Sequence, residues 1–317
     1  MKILHITTNY PTKEFPIFGI FVKEQVESLQ ALGIDCEVFN CDGQNKGFKK
    51  YLTYIPKLWW RILTHKYDIL HCHHALSAII LSMTGWPMFK KCVLSYQNDP
   101  DREWGKLFFH LFYPFFNAFI VKNNSIYLHY SKVRYLPNGC NDIFFHPMDK
   151  VLCRQKLGLQ IDSICILYMD SNKGIRTQKR KDRYDDVLNL LRTKYGYNNI
   201  ISIELTNTPR NVMPIYINAC DLHLLSSDFE GSPNSVKECL CCNTPIVSTD
   251  VGNVNEMIGD INGCYVAASF TVEELAECAD KALKNVDSFK GREDFLLKGY
   301  GMETVAKKLI SLYEKMV

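Results

Sequence analysis

The sequence predicts an α/β protein made of two doubly wound domains, each built on a parallel β-sheet. Short runs rich in apolar and β-branched residues alternate along the chain with segments of helical periodicity, which is typical of parallel sheets covered by helices. The chain has 317 residues, of which 47% are hydrophobic and 12% aromatic, so it can bury two cores of ordinary domain size. It contains no internal repeat or low-complexity tract.

Six strands are predicted in the first half of the chain. They lie at residues 2–7, 36–39, 68–72, 92–96, 118–121 and 133–136. After the first strand, Val22, Val26 and Leu29 fall on one face of a predicted helix that Gly33 ends. The last strand runs into the turn signal Pro-Asn-Gly at residues 137–139.

Strands and helices also alternate in the second half. The predicted strands lie at residues 165–169, 200–205 and 221–225, and the predicted helices at 182–194, 213–220 and 302–317. Val305, Leu309 and Leu312 form one stripe on the last helix. A linker is expected at residues 142–150, which divides the chain into a first domain at 1–145 and a second at 146–301.

The most informative segment is residues 226–256, SSDFEGSPNSVKECLCCNTPIVSTDVGNVNE. It predicts a helix start, with Ser232 as N-cap, Pro233 as first helical residue and the helix body at 235–242. The amides of Asn234 and Ser235 would then point out of the helix N-terminus. A phosphate oxygen is favoured there by the amide donors and the helix dipole.

Glu230 and Glu238, separated by seven residues and followed by T-P-I-V-S-T-D-V-G-N, resemble the donor site of the family 4 glycosyltransferases. The resemblance implies the GT-B fold, two Rossmann-like domains facing a central cleft, with a last helix that crosses back onto the first domain. It also implies that Glu230 contacts the donor sugar and Glu238 the ribose diol, a role suited to a carboxylate. A capped amphipathic helix with a solvated Glu238 is the alternative for an isolated pair of glutamates.

A basic pair in the run KRKDRYDDVLNLL resembles the lysine or arginine pair of the family. Lys179 and Arg180 occupy the matching places, which implies that they neutralise the leaving diphosphate, and we assign them to the catalytic set with Glu230. Lys181 and Arg183 are expected to be ordinary surface residues.

The chain departs from the family pattern at two places. Many relatives carry an arginine directly after the first strand of the second domain, where this chain has Asp170 and Ser171, so Lys173 or Arg176 is expected to supply that charge. Gln97 stands where relatives often have a histidine near the anomeric carbon. Glutamine can hydrogen-bond a sugar hydroxyl but takes no proton, which is compatible with retaining transfer if the leaving phosphate helps to deprotonate the acceptor.

Histidines follow a strand in His71-Cys72-His73-His74, which resembles the family's H-x-H element. This implies that His73 lies on the acceptor side with Gln97, although metal ligation and plain loop histidines remain alternatives. Gly19 resembles the glycine that lets the backbone approach donor phosphate or acceptor. The loop at 206–209 is expected to hold the nucleobase, without selecting uracil or guanine. The remaining predicted donor-binding residues are Glu238, Gly231, Ser232, Asn234 and Ser235.

Charge and aromatic residues between Gly43 and Tyr67 bear on the setting of the protein. This segment has six Lys or Arg and no acidic residue, interleaved with tyrosines and tryptophans, which favours contact with an anionic membrane. An amphipathic helix packed on its own domain is the alternative. Binding to nucleic acid is not expected, since the formal net charge is only +3 and no nucleic-acid motif is present.

The thirteen cysteines sit singly on apolar segments or together on one short helix, which indicates reduced, structural thiols rather than disulfides or a zinc site. The first residues have the form of a strand rather than of a secretory signal. We therefore expect a cytoplasmic protein, peripheral at the inner face of the membrane. No metal or other cofactor is expected besides the nucleotide-sugar co-substrate.

These features predict a retaining glycosyltransferase that moves a sugar from a UDP- or GDP-sugar to a hydroxyl of a lipid-linked or cell-surface glycan, as in polysaccharide, capsule or lipopolysaccharide biosynthesis. The alternative is a catalytically silent GT-B subunit that binds nucleotide-sugar or glycan and supports a partner enzyme. Gln97 and the missing arginine motivate that alternative. A phosphorylase or epimerase on the same architecture is the least favoured hypothesis.

Overall fold

The computed structural model describes residues 1–42, 48–103, 105–170, 177–206 and 208–317. The chain divides into two compact units, one formed by Met1–Gly139 with Met302–Val317 and the other by Cys140–Gly301. Each unit is built on one parallel β-sheet, so the prediction of an α/β fold with two parallel sheets is confirmed.

The first sheet has six strands: β1 (Lys2–Thr7), β2 (Asp35–Asn40), β3 (Ile69–His73), β4 (Lys91–Ser95), β5 (Ala118–Val121) and β6 (Val133–Tyr135). They pair in parallel in the order β2-β1-β3-β4-β5-β6. The second sheet has five strands: β7 (Ile164–Asp170), β8 (Ile200–Thr206), β9 (Leu222–Leu225), β10 (Ile246–Thr249) and β11 (Tyr265–Ala267). Their order is β11-β10-β9-β7-β8, again parallel.

The α-helices of the described residues are α1 (Ile20–Ala31), α2 (Phe48–Thr64), α3 (Ala75–Ser82), α4 (Gly105–Phe112), α5 (Lys150–Leu157), α6 (Lys181–Tyr195), α7 (Met213–Ala219), α8 (Asn234–Cys241), α9 (Val254–Ile258), α10 (Val272–Lys284), α11 (Gly291–Leu297) and α12 (Met302–Glu314). Short 3-10 helices lie at Trp86–Met88, Ile126–His129, Thr177–Lys179, Arg210–Val212 and Val286–Ser288. Helices pack on both faces of each sheet, as buried parallel strands require. Side chains alternate along β7, since Cys165 and Leu167 belong to one core cluster and Ile166 and Tyr168 to another.

The last helix, α12, belongs to the first unit. Val305 and Leu309 are buried in a core cluster with Ile3 and Val26. The hydroxyl of Tyr313 lies 2.5 Å from Nδ1 of His71. Residues far apart in sequence therefore close one face of the first sheet.

The boundary between the units lies at residues 139–140, so the expected linker at 142–150 falls inside the second unit. Phe145 is completely buried in the core of that unit. The Arg292 guanidinium donates to the carbonyls of Phe145 and Asp142 at 3.0 and 2.9 Å. These contacts between residues far apart in sequence tie the segment into the second unit.

Helix α2 covers the basic, aromatic segment of the sequence. Leu58 and Ile62 are buried in the core of the first unit, so one face of the helix packs on its own domain. Trp59, Trp60 and Leu63 are exposed on the other face. Among the described helices, none is long and apolar enough to cross a membrane.

Candidate active site

Two residues of the predicted catalytic set meet at the carboxyl edge of the second sheet. Nζ of Lys179 lies 2.6 Å from Oε1 of Glu230, and the two side chains are only 9% and 13% exposed. The Ser227 hydroxyl donates to the same carboxylate oxygen at 2.9 Å. The Thr249 hydroxyl in turn donates to the Ser227 carbonyl at 2.6 Å. The ends of β9 and β10 therefore orient a carboxylate and an ammonium that are largely removed from water.

A glycine supports the turn that carries Glu230. Gly252 has φ +60°, and a Cβ built on it would lie 2.3 Å from the carbonyl oxygen of Gly231 and 2.9 Å from that of Glu230. Both facts require glycine, because a side chain would strain the backbone and push the turn away. The D-V-G-N sequence thus positions Glu230 by close backbone packing.

The start of α8 differs from the prediction. The helix begins at Asn234, and Pro233 is the N-cap, with extended backbone angles of φ −66° and ψ 120°. The predicted N-cap role of Ser232 is therefore wrong, and its hydroxyl has no hydrogen-bond partner among the described residues. The reason is that Pro233 stays extended instead of entering the first turn. Gly231 and Ser232 consequently lie in the turn ahead of the helix rather than at its cap.

The side chains of Ser235 and Lys237 form hydrogen bonds with other residues of the second unit. Nδ1 of His223 lies 3.0 Å from the Leu167 carbonyl, so it carries the proton, and Nε2 accepts from the Ser235 hydroxyl at 3.1 Å. Burial lowers the pKa of His223 to about 4. Lys237 is completely buried, donates to the Ser232 carbonyl at 3.3 Å, and has its pKa lowered by burial to about 8. Lys237 therefore ties the turn ahead of α8 to the helix, while Ser235 ties the helix to β9.

Glu238 is buried and paired, not solvated as in the alternative of a capped amphipathic helix. Its Oε1 lies 2.5 Å from Nη1 of Arg210, with the side chains 6% and 18% exposed respectively. The Arg210 guanidinium lies over the ring of Phe145 at 4.5 Å. Sequence reasoning missed Arg210, although its place directly after the loop at 206–209 was an available signal. Asn207 of that loop lies outside the described residues.

Arg180 is held by acidic neighbours. It has a positive φ of 49°, and its guanidinium pairs with Asp182 at 2.8 Å and with Asp228 at 3.1 Å. Its contact with phosphate stays a prediction. Lys173 and Arg176, named for the missing family arginine, lie outside the described residues.

Arg183 is not a surface residue, so that prediction was wrong. It is buried, donates to the Ser226 carbonyl at 2.6 Å and pairs with Asp228 at 2.8 Å. The first turn of α6 faces the end of β9, which places these acceptors opposite it. Lys181 is partly buried as well and pairs with Glu204 at 3.0 Å.

The first unit places His73 differently from the expectation. His5, His71 and His73 are completely buried on one face of neighbouring strands β1 and β3, with His5 Nδ1 and His73 Nε2 3.0 Å apart. Burial lowers the pKa of His5 to about 3 and that of His73 well below its usual value. His73 therefore belongs to a neutral, hydrogen-bonded core cluster. His71 uses both ring nitrogens, with Tyr313 and with Ser95 at 2.8 Å.

These three histidines also form the group of described residues whose nitrogens lie close enough to share a metal ion, within 4.8 Å of one another. The group includes no carboxylate, and a divalent cation there would be buried with no anion to offset its charge. The hydrogen bonds already made by His71 would have to break.

The residue beside this cluster, His74, takes part in a polar network that the sequence did not reveal. His74 has a positive φ of 71°, and its ring nitrogens lie 3.1 Å from Asn9 Nδ2 and 3.6 Å from Glu103 Oε1. The Glu103 carboxylate also accepts from the Gln97 and Asn98 amides at 2.5 and 2.7 Å. Backbone strain in a residue other than glycine is often retained where it serves a function.

Gln97 and Gly19 both lie at the carboxyl edge of the first sheet, where ligands of parallel sheets bind. Gln97 Oε1 accepts from Asn138 Nδ2 at 2.9 Å. Gly19 has φ +67°, and a Cβ on it would lie 2.1 Å from the Asn9 carbonyl oxygen, so glycine is required here by the neighbouring loop. Their roles toward acceptor and donor stay predictions.

Comparison with known families decides what kind of domain holds this site. Residues 184–285 match the family described as glycosyl transferases group 1. In this region the chain is similar to the group 1 glycosyltransferases. The match includes Glu230, Glu238, Arg210 and Gly252, and it begins just after Lys179 and Arg180. A search of curated proteins finds no match to the chain.

Solved structures extend the likeness to the whole chain. Sucrose-phosphate synthase from Thermosynechococcus elongatus aligns with a TM-score of 0.74 at 13% identity, covering 100% of this chain and 99% of that one. Anabaena HepE in complex with UDP aligns with 0.73 at 14% identity, covering 99% and 100%. The lipopolysaccharide outer core galactosyltransferase WaaB aligns with 0.67 at 14% identity, covering both chains completely. The predictions of a GT-B fold and of a glycosyltransferase are confirmed, while assignment to family 4 stays a prediction.

Proposed function

We propose that this glycosyltransferase transfers a sugar from a nucleotide diphosphate sugar to a glycan hydroxyl, with retention of the anomeric configuration. The observation that carries the proposal is the pair of Lys179 and Glu230, 2.6 Å apart, ahead of the helix that bears Glu238. HepE has been solved with UDP-glucose, and the catalytic domain of starch synthase IV from Arabidopsis thaliana with ADP. These neighbours support a nucleotide-sugar donor.

Each group has a part in the proposed reaction. Glu230 would position the donor sugar, Glu238 the ribose, and Lys179 with Arg180 and the amides at the start of α8 would stabilise charge on the leaving diphosphate. The bond between the anomeric carbon and the diphosphate oxygen breaks, and a bond to the acceptor oxygen forms on the same face. The leaving phosphate takes the acceptor proton. The proposal therefore assigns charge neutralisation to protein cations rather than to a metal ion.

The proposed acceptor is a glycan on a lipid, met at an anionic membrane surface. The exposed face of α2 supports this setting, because Trp59, Trp60 and Leu63 are exposed there and exposed lysines precede and follow them at Lys57 and Lys66. Aromatic residues favour the headgroup level and lysines meet lipid phosphates. Binding to lipid vesicles tests this part of the proposal separately.

The deciding experiment measures nucleoside diphosphate released from a panel of UDP-, GDP- and ADP-sugars, with and without membrane-extract acceptors. We expect release from one donor class, reduced at least about 100-fold in Glu230→Ala because an interaction with the reacting sugar is lost. Glu238→Ala should lower affinity for the donor. Glu277→Ala, an exposed glutamate on α10 of the same unit, is the matched control and should behave as wild type.

Three results would contradict the proposal, the third being inversion at the anomeric carbon. Tight binding of nucleotide-sugar without release under any condition would favour the silent subunit. Release that persists in Glu230→Ala would remove that carboxylate from the reaction. The anomeric configuration of the product, read by NMR, decides between retention and inversion.

A further inference from the structure

We propose that Arg210 is a positioning residue of the donor site, which holds the Glu238 carboxylate in the orientation that binds the ribose diol. The inference rests on the proposed function, because it takes Glu238 as the group that meets the nucleotide. It adds a residue that neither the sequence pattern nor the predicted catalytic set contained.

The contact itself is direct and largely removed from water. Nη1 of Arg210 lies 2.5 Å from Oε1 of Glu238, and Glu238 is buried on α8. Within the described residues, the side-chain hydrogen bond of Glu238 is the one that its Oε1 accepts from Arg210. We assign the ligand to the other oxygen, Oε2.

A buried carboxylate needs such a partner. Removing its charge from water is costly unless a cation and hydrogen bonds compensate. The three residues that follow Glu238 on α8, Cys239, Leu240 and Cys241, are apolar and completely buried, and Lys237, which precedes it, is completely buried as well. Without Arg210 the carboxylate would lose its hydrogen-bond partner and turn away. A rotated group could no longer accept two hydrogen bonds from a diol in the same place.

Stacking on Phe145 fixes the direction of the Arg210 side chain. The guanidinium carbon lies 4.5 Å from the ring centroid, and the ring is completely buried. Phe144 meets that ring edge-on at 4.9 Å, while Arg292 donates to the Phe145 carbonyl at 3.0 Å. A planar guanidinium can use both the ring face and the carboxylate at once, which the ammonium of lysine cannot do in the same way.

The chain position of Arg210 links the pair to the nucleoside. Arg210 opens the short helix Arg210–Val212 directly after β8 and the loop expected to hold the base. One side chain thereby connects that loop to the residue expected to hold the ribose. The geometry points to Arg210 and Glu238 acting together as one unit that recognises the ribose.

The test is discrimination between ribose and deoxyribose. UDP, GDP and ADP are titrated calorimetrically into the full-length protein, and the tightest ligand is then compared with its 2′-deoxy and 3′-deoxy forms. We expect wild type to bind the ribonucleotide about tenfold more tightly than a deoxy form, since a hydrogen bond to a charged group is lost. In Glu238→Gln and Arg210→Gln the ratio should fall to about twofold or less. The double variant should lose no further discrimination, because both changes remove the same contact.

Arg210→Lys keeps a positive charge and tests orientation. It should restore affinity for the ribonucleotide only in part and leave the ratio below that of wild type. Arg192→Lys, an exposed arginine on α6, is the matched control and should keep the wild-type ratio. Thermal unfolding of each variant shows whether it is folded. If Arg210→Gln is not folded, the comparison is made with Arg210→Lys instead.

The outcomes separate this inference from the proposed function. A wild-type ratio in a folded Arg210 variant, with the ratio lost in Glu238→Gln, overturns the inference and leaves the donor assignment intact. An unchanged ratio in Glu238→Gln overturns it too, since the ribose then lies elsewhere. No binding of any of the three nucleotides to wild type would contradict the proposed function itself.

Discussion

At the scale of single residues, the pair of Lys179 and Glu230 has both a structural and a chemical part. Because both side chains are largely buried, Lys179→Met should leave an uncompensated carboxylate and lower the free energy of unfolding by about 3–5 kcal/mol. Lys179→Met combined with Glu230→Gln should recover much of that stability but no nucleoside diphosphate release. Urea unfolding and the release assay measure the two effects on the same samples.

An exposed ion pair gives the control for this prediction. Lys281 and Glu277 lie 2.7 Å apart on α10, with side chains 52% and 56% exposed, so Lys281→Met should change the free energy of unfolding far less than Lys179→Met. If the double variant at Lys179 and Glu230 were as unstable as the single one, the pair would not be the source of the loss.

Resemblance to the motifs of a known family singled out Lys179, Glu230 and Glu238, but it could not predict their partners. Partners depend on which elements the fold brings together. Arg183 is buried because β9 places the Ser226 carbonyl and Asp228 opposite the first turn of α6. His73 is buried because it shares a sheet face with His5 on the neighbouring strand. The burial of these two residues depends on contacts between elements, so it could not be predicted from the local sequence.

At the scale of elements, the predicted strands lie close to the observed ones because buried parallel strands are continuous apolar runs. The ends of helices were less predictable. The Ser-Pro-Asn sequence permits a cap at Ser232, yet Pro233 is the N-cap and α8 begins at Asn234. Lys237 donates to the Ser232 carbonyl, a contact that a capping rule based on the residue 232 side chain does not include.

The turn around Glu230 yields a prediction with a closely matched control. Gly252→Ala should impair nucleoside diphosphate release, because the new methyl group would lie 2.3 Å from the Gly231 carbonyl oxygen and displace the catalytic turn. Gly158→Ala has a similar positive φ of 67° but nothing within 4 Å of the new Cβ. Both variants should lose about 1–2 kcal/mol from backbone strain, measured by thermal unfolding. Equal release in the two variants would show that close packing at Gly252 does not position Glu230.

At the scale of the whole molecule, alternation of strands and helices was enough to predict two parallel sheets. It was not enough to place the boundary, because Phe145 and Asp142 join the second unit through Arg292 on α11. For the basic segment ahead of Tyr67, the sequence left two interpretations open, contact with a membrane and packing on its own domain. In the structure the segment includes an amphipathic helix, with Leu58 and Ile62 on the packed face, so packing on the domain and an exposed aromatic face occur together.

The exposed face of α2 continues onto the neighbouring segment. The rings of Trp59 and Trp86 lie 6.4 Å apart, and Nε1 of Trp86 donates to the Trp59 carbonyl at 3.3 Å. Trp60 on the helix is 62% exposed, and Phe89, just after the Trp86–Met88 helix, is 76% exposed. Large exposed apolar patches mark interaction surfaces. These exposed aromatic residues lie beside exposed lysines, a combination that favours contact with an anionic membrane.

Vesicle binding should therefore depend on both the aromatic residues and the lipid charge. We expect the protein to sediment with vesicles of phosphatidylcholine containing phosphatidylglycerol, and much less with phosphatidylcholine alone or at high salt. Trp60→Ser with Phe89→Ser should weaken binding at least about tenfold, since each buried aromatic side chain contributes about 1.5–3 kcal/mol. Leu297→Ser, at a residue of similar exposure in the second unit, should not. Binding that is indifferent to lipid charge and to these aromatic residues would contradict a peripheral membrane setting, while leaving donor turnover as the measure of the transferase itself.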